Sequence, residues 1–309
     1  MKSKTWLALL SIYIIWGSTY LAILFTVETI PPFISAGIRF LISGAILFVW
    51  RRLARDPMPT RIQWRSAAIV GTLLLLGGNG LLAWSEQYIP SGFAALLIGT
   101  VPLWLVLIEA LRPGGTIASW QAILGLAIGF TGVLVLVGPA EFTGKTHQFN
   151  MMGVLVCLIA AFIWSFGSIY SRSSDLPKSA LMTTGMEMLA GSIGLFIVAT
   201  LTGEWKQFSI FDISQKSLYG LIYLITIGSL VGFVSYAWLL KNAPVPLVAT
   251  YAYVNPLVAI LLGTLFADEL LTPRMVIAAI IIVGSVVFIN TSGKDSKISE
   301  NETVVAIAE

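Results

Sequence analysis

One cysteine and one histidine are all that 309 residues hold of the side chains that favour transition metals. Cys157 forms no internal disulfide, and with His147 it falls short of the three or four nitrogen and sulfur ligands of a zinc or iron site. No GxxxxGK[ST] run cradles nucleotide phosphates, and no pair of aspartates falls inside an apolar stretch, as an intramembrane protease would need. Charge is the second scarcity: Asp, Glu, Lys and Arg make up 11% of the chain, where soluble domains hold roughly a quarter. Water is not the main solvent of this chain. The expectations are no catalytic residues, no metal, no cofactor and no enzyme activity.

What the chain has instead is apolar length, with 57% hydrophobic residues. A segment of about 20 apolar residues crosses a bilayer core of roughly 30 Å. Candidate spans are 6–25, 33–50, 66–85, 91–108, 120–138, 151–171, 180–201, 218–240, 245–267 and 275–290. This predicts an all-α integral membrane protein with ten transmembrane helices, in contact with the lipid bilayer on all sides. The first span resembles a secretory signal only superficially. It runs long, lacks a small-residue cleavage site and takes part in the duplication described next, so it is expected to be retained.

The last five spans repeat the first five. Adding 148 carries Trp16 onto Trp164, Gly37 onto Gly185, Leu41 onto Leu189 and Phe48 onto Phe196; adding 154 carries Trp84 onto Trp238, Pro90 onto Pro244 and Pro102 onto Pro256. The expected units are 5–138 and 150–291, followed by a polar tail at 292–309 expected to be disordered and cytoplasmic. Five is odd, so the second copy enters the membrane from the opposite side. Inverted repeats of this kind recur in secondary transporters, with the site between the halves near mid-membrane. Loops are short and leave no room for a soluble catalytic domain.

Lysine and arginine gather in cytoplasmic loops of membrane proteins. With the N-terminus inside, the inner segments hold Lys2, Lys4, Arg51, Arg52, Arg55, Arg61, Arg65, Arg112, Arg172, Lys178, Lys241, Lys294 and Lys297; the outer ones hold Lys145, Lys206, Lys216 and Arg274. Both termini are thereby expected in the cytoplasm. The Arg51 to Arg65 cluster has a nucleic-acid or lipid-headgroup reading, but an orientation signal on an inner loop accounts for it, and no nucleic-acid partner is expected.

Proline inside a span is the strongest local signal. Pro102 and Pro256 each remove a backbone donor and leave the carbonyl four residues earlier, at Ile98 and Ala252, without its helical partner. Such carbonyls at membrane depth face protein or a polar cavity. Aromatic and polar side chains fall on related spans. Tyr13, Trp16 and Tyr20 share one face of span one; Trp164 sits in span six; Thr250, Tyr251, Tyr253 and Asn255 precede the proline of span nine. Ionisable groups inside spans are functional candidates by default. Arg39 and Glu187 occupy equivalent repeat positions with opposite charge. At about 1.5 Å per residue, Arg39 lies roughly 9 Å below the outer end of its span and Glu187 roughly 10 Å above the inner end of its own. Glu86, at the outer end of span three, is nearer to Arg39 in depth. Snorkelling or a static helix-locking pair also accounts for Arg39. Glu86 and Glu187 are candidates to carry a coupling proton. Glu109 and Glu269 end their spans at a surface, where solvation explains them.

Ten spans in two repeats, WGSTY at 16–20, the span prolines and DELLTP at 268–273 together resemble the EamA branch of the drug/metabolite transporter superfamily. The resemblance covers 5–290. One departure stands out: such families carry an acidic residue followed by Leu and Thr before the last span of each half, and here the first half has RPGGTIAS at 112–119. The resemblance implies a polytopic permease of the cell membrane that moves small molecules, often outward, without ATP. A single arginine in the spans disfavours sugar phosphates and nucleotide sugars, leaving neutral, zwitterionic or lipophilic metabolites such as amino acids or drugs. The expected cavity comprises Trp16, Tyr20, Ile98, Pro102, Trp164, Ala252, Tyr253, Asn255 and Pro256, with Arg39, Glu86 and Glu187 as the intramembrane charges. A passive channel or scramblase sharing the same cavity is the alternative. Oligomeric state is not legible.

Overall fold

The structure is a computed structural model that describes residues 3–113, 120–138, 150–243, 245–248 and 250–289. Among them every regular element is helical. Eight helices are long and apolar enough to cross a membrane: α1 (Lys4–Val27), α2 (Pro32–Leu53), α3 (Arg61–Ser85), α4 (Ser91–Leu111), α5 (Trp120–Val137), α6 (Met151–Ser173), α7 (Ala180–Leu201) and α8 (Gln215–Leu239). Two are shorter, α9 (Tyr251–Phe266) and α10 (Pro273–Ile289). Span nine is not the single helix over 245–267 that its hydropathy predicts, because a separate turn, Val245–Val248, precedes α9. The repeat linker around Lys145, the end of the first RPGGTIAS segment, Pro244 and the tail lie outside the described residues.

Large apolar side chains face outward along these helices, among them Leu7, Ile14, Ile193, Leu201 and Leu261, each more than half exposed. That continuous apolar exterior fits hydrocarbon rather than water. The interior is built from Phe40, Phe93, Leu96, Leu97 and Leu136, all fully buried.

Small residues let the helices approach closely. α2 and α7 form the most extensive helix pair. A Cβ on Gly37 would stand 2.6 Å from the Phe196 ring, and one on Gly185 would stand 3.0 Å from the backbone nitrogen of Phe48. The two contacts join positions related by the sequence offset of 148, since 37 maps onto 185 and 48 onto 196. Spans three and eight each open into a π-helical segment, Thr72–Gly80 and Leu224–Val231. Wider helical turns of this kind occur at functional positions.

Helix starts are satisfied in two ways. α3 opens with a capping box in which Thr60 accepts from the Gln63 N–H and donates its own N–H to the Gln63 side chain. α2 and α4 begin after Pro31 and Pro90, which supply no side-chain cap. Acids far along the chain take that role. Glu204 accepts from the N–H groups of Phe33 and Ile34 at 3.3 and 3.0 Å, and Glu269 accepts from those of Ser91 and Gly92 at 2.6 and 2.9 Å. A carboxylate at a helix N-terminus meets both the free donors and the positive end of the dipole.

Candidate functional site

α1, α2, α3, α4, α6, α8 and α9 surround a partly enclosed cavity of about 130 Å³. The volume suits a six-membered ring or a small amino acid. α4 is broken at its centre, helical over Ser91–Ile98 and again over Val101–Leu111. Gly99 and Thr100 make the turn between them, and a Cβ on Gly99 would lie 3.3 Å from the Pro256 ring of α9. The break in α4 therefore meets Pro256 of α9, with the cavity beside the junction.

Seven of the nine expected cavity residues line it: Trp16, Tyr20, Ile98, Trp164, Ala252, Asn255 and Pro256. Pro102 and Tyr253 do not. Pro102 stands in the first turn of the second half of α4, where a missing N–H is no loss, so the bend falls ahead of it at Gly99 and Thr100. Tyr253 follows the cavity residue Ala252 on α9, and one step along a helix turns a side chain by about 100°. The matched prolines also differ locally, since Pro256 lies inside α9 rather than at a break.

The cavity tryptophans rest on glycines. A Cβ on Gly78 would stand 2.6 Å from the Trp164 ring, and one on Gly232 would stand 2.5 Å from Trp16 Nε1. Adding 148 maps Trp16 onto Trp164 and adding 154 maps Gly78 onto Gly232, so both contacts join positions matched in the sequence. Trp16 is further held by rings from α8 and α9: Phe233 at 5.4 Å, Tyr236 at 5.0 Å and Tyr251 at 5.0 Å between centroids. One helical turn away, the Tyr13 hydroxyl bonds the Thr250 hydroxyl. With its amide oriented to satisfy both ends, Asn255 donates to the backbone carbonyls of Tyr13 and Tyr251 at 3.2 and 3.1 Å. Its donors thus join α1 to α9 rather than pointing free into the cavity for a substrate.

Arg39 is buried and lines the same cavity. Its Nε donates to Ser229 Oγ on α8 at 2.9 Å, and its guanidinium lies 4.8 Å from the Phe40 ring centre. Glu86 does not pair with it. The three ion pairs among the described residues are Arg51 with Asp56, Arg112 with Glu109 and Lys216 with Glu28. Both Glu86 oxygens are buried and make no hydrogen bond of ordinary length and angle among the described residues. Neither Glu86 nor Glu187 lines the cavity. Glu269 is not a solvated helix end but the cap of α4 described above.

Gly78, Asn79, Thr19, Phe233 and Tyr251 also line the cavity, and the sequence alone does not assign them to it. The GGNG run at 77–80 is the signal that points there, because an asparagine among glycines inside an apolar span marks a place where backbone is exposed to something polar.

The profile described as the EamA-like transporter family matches residues 3–138 and 151–291. A relative from Escherichia coli K12, named "Uncharacterized inner membrane transporter YedA", is 37% identical over 288 residues, 93% of this chain and 90% of that protein. Another from the same strain, named "Probable amino-acid metabolite efflux pump", is 26% identical, covering 95% and 96% of the two chains. A crystal structure 22% identical superposes with a TM-score of 0.61 over 93% of this chain and 96% of that one, which shows a common fold.

Proposed function

The chain belongs to the EamA-like transporter family, and from that premise we propose that it is a secondary transporter carrying small neutral, zwitterionic or lipophilic metabolites by alternating access of two inverted repeats. The observation that carries this reading is the exchanged pair of contacts, Trp16 on Gly232 and Trp164 on Gly78, on opposite repeats around one cavity. A site made twice by the same parts is suited to being presented first to one side and then to the other. The charge bias of the loops supports cytoplasmic termini. Similarity to the amino-acid metabolite efflux pump supports amino-acid-like substrates and outward movement.

In this mechanism the rings of Trp16, Tyr20 and Trp164 receive the apolar part of the substrate, a surface that also tolerates a cation. The Ile98 carbonyl, at the break of α4, and the Ala252 carbonyl, which has no donor at Pro256, accept from substrate N–H groups. Purified protein in vesicles, loaded with a panel of labelled amino acids and amines, tests the reading. Saturable flux with counterflow is expected, and flux that rises linearly without counterflow identifies a channel or scramblase instead. Trp16→Ala and Trp164→Ala are expected to lower transport at unchanged membrane abundance.

A further inference from the structure

Arg39 is the cation of the cavity wall, and the groups around it do not balance its charge. Among the described residues it makes one hydrogen bond, through Nε to a neutral hydroxyl, and no carboxylate lies within ion-pair distance. The acid whose charge acts on it is Glu86, from beyond that distance. The other residues that line the cavity are uncharged, among them Asn79, Thr19, Trp16, Trp164 and Phe233. Burying a charge without a partner is costly, and the cost falls when an anion arrives. Guanidinium presents a planar fork of donors that matches a carboxylate. One cation balances one negative charge, whereas a phosphate dianion would leave the apolar wall facing surplus charge.

We infer that Arg39 recognises a single carboxylate on the transported molecule, which makes the substrate a small apolar or aromatic monocarboxylate, as a simple anion or as a zwitterion. The inference rests on the cavity being the transport site. The aromatic rings take the hydrocarbon part and the guanidinium takes the acid, while the Ser229 hydroxyl and the Phe40 ring hold the arginine in place from behind. A purely structural Arg39, tying α2 to α8, would be indifferent to whether a ligand carries an acid.

Matched pairs separate these roles: benzoate against benzamide, and leucine against leucinamide, titrated calorimetrically onto the full-length protein in nanodiscs. Each acid is expected to bind on the order of tenfold or more tightly than its amide, because the amide leaves the buried cation unpaired. Arg39→Gln is expected to abolish that preference, and Arg39→Lys to keep part of it. Equal binding of acid and amide by the wild type overturns the inference, as does a preference that survives Arg39→Gln, or no binding of either acid. If Arg39→Gln does not accumulate in the membrane, the wild-type preference and Arg39→Lys decide. Trp16→Ala and Trp164→Ala serve as the control for the cavity itself. Acid-selective binding that both leave untouched removes the site from the cavity, whereas loss of all binding without any acid preference in the wild type refutes only the role of Arg39.

Discussion

Trp164 lies against the bare backbone of Gly78, so close that a β-carbon there would stand 2.6 Å from its ring. Gly78 lies inside the π-helical turn of α3 and Gly232 directly follows that of α8, and glycine leaves the space that the indole fills. Position and orientation of both cavity tryptophans thus depend on residues that contribute no side chain.

Gly78→Ala and Gly232→Ala are therefore expected to push Trp164 and Trp16 into the cavity. Trp16 has little room to yield, being wedged among Phe233, Tyr236 and Tyr251. Overpacking of this kind costs about 1–3 kcal/mol. Expected are a raised KM and a blue- or red-shifted tryptophan emission with protein still in the membrane. Unchanged emission and kinetics in both variants would show that the seats are slack.

Glu204 gives a pH-dependent stability of defined sign. Burial outside the spans raises its carboxyl above the usual carboxylate range, although the Ile34 and Phe33 N–H groups pull the other way. An acid whose folded value is raised contributes most below its unfolded value, and that contribution is lost as pH rises through the folded value. Glu204→Gln keeps an acceptor for α2 and cannot titrate. The melting temperature of the wild type is expected to fall relative to the variant as pH rises from about 4 to about 7. Parallel curves for the two proteins would count against the assignment.

Topology is open to labelling because Cys157 is fully buried, which makes it a silent background. A cysteine placed at Lys206 is expected to react with an impermeant thiol reagent from outside intact cells, and one at Arg55 only after the membrane is opened. Reaction at Arg55 in intact cells, or none at Lys206, would reverse the assigned orientation.

Duplication makes the tryptophans legible in the amino-acid sequence, because a match at a constant offset picks out a few aromatics, Trp16 and Trp164 among them. The glycine seats are not legible there, since glycine in an apolar span looks like packing until its partner, 86 residues away for Gly78 and Trp164, is known. The same distance problem hides the role of Glu269. Its partners, Ser91 and Gly92, lie in the other half, so a surface position suggests solvation where the fold has a cap. Pro102 misleads for a local reason: proline both bends helices and starts them, and only the path of Gly99 and Thr100 decides which.

Proton coupling is the last expectation, and Glu86 is its better-placed carrier. Both of its oxygens are buried without a hydrogen bond of ordinary length and angle among the described residues, and no ion pair fixes the group. Tyr20, a cavity residue, Arg39, Cys157 and Glu269 are the ionisable groups whose fields couple to it. A charge change at Glu86 is expected to act on the cavity wall through Tyr20 and Arg39, without direct contact with substrate. Glu187 lies in α7, where its backbone packs against Gly71 of α3, and it does not reach the cavity. Glu86→Gln is expected to abolish acceleration of substrate flux by an imposed pH gradient while leaving counterflow, which needs no net proton movement. Glu187→Gln is expected to have the smaller effect. Flux in the double variant that still follows the pH gradient would exclude both carboxyls as proton carriers.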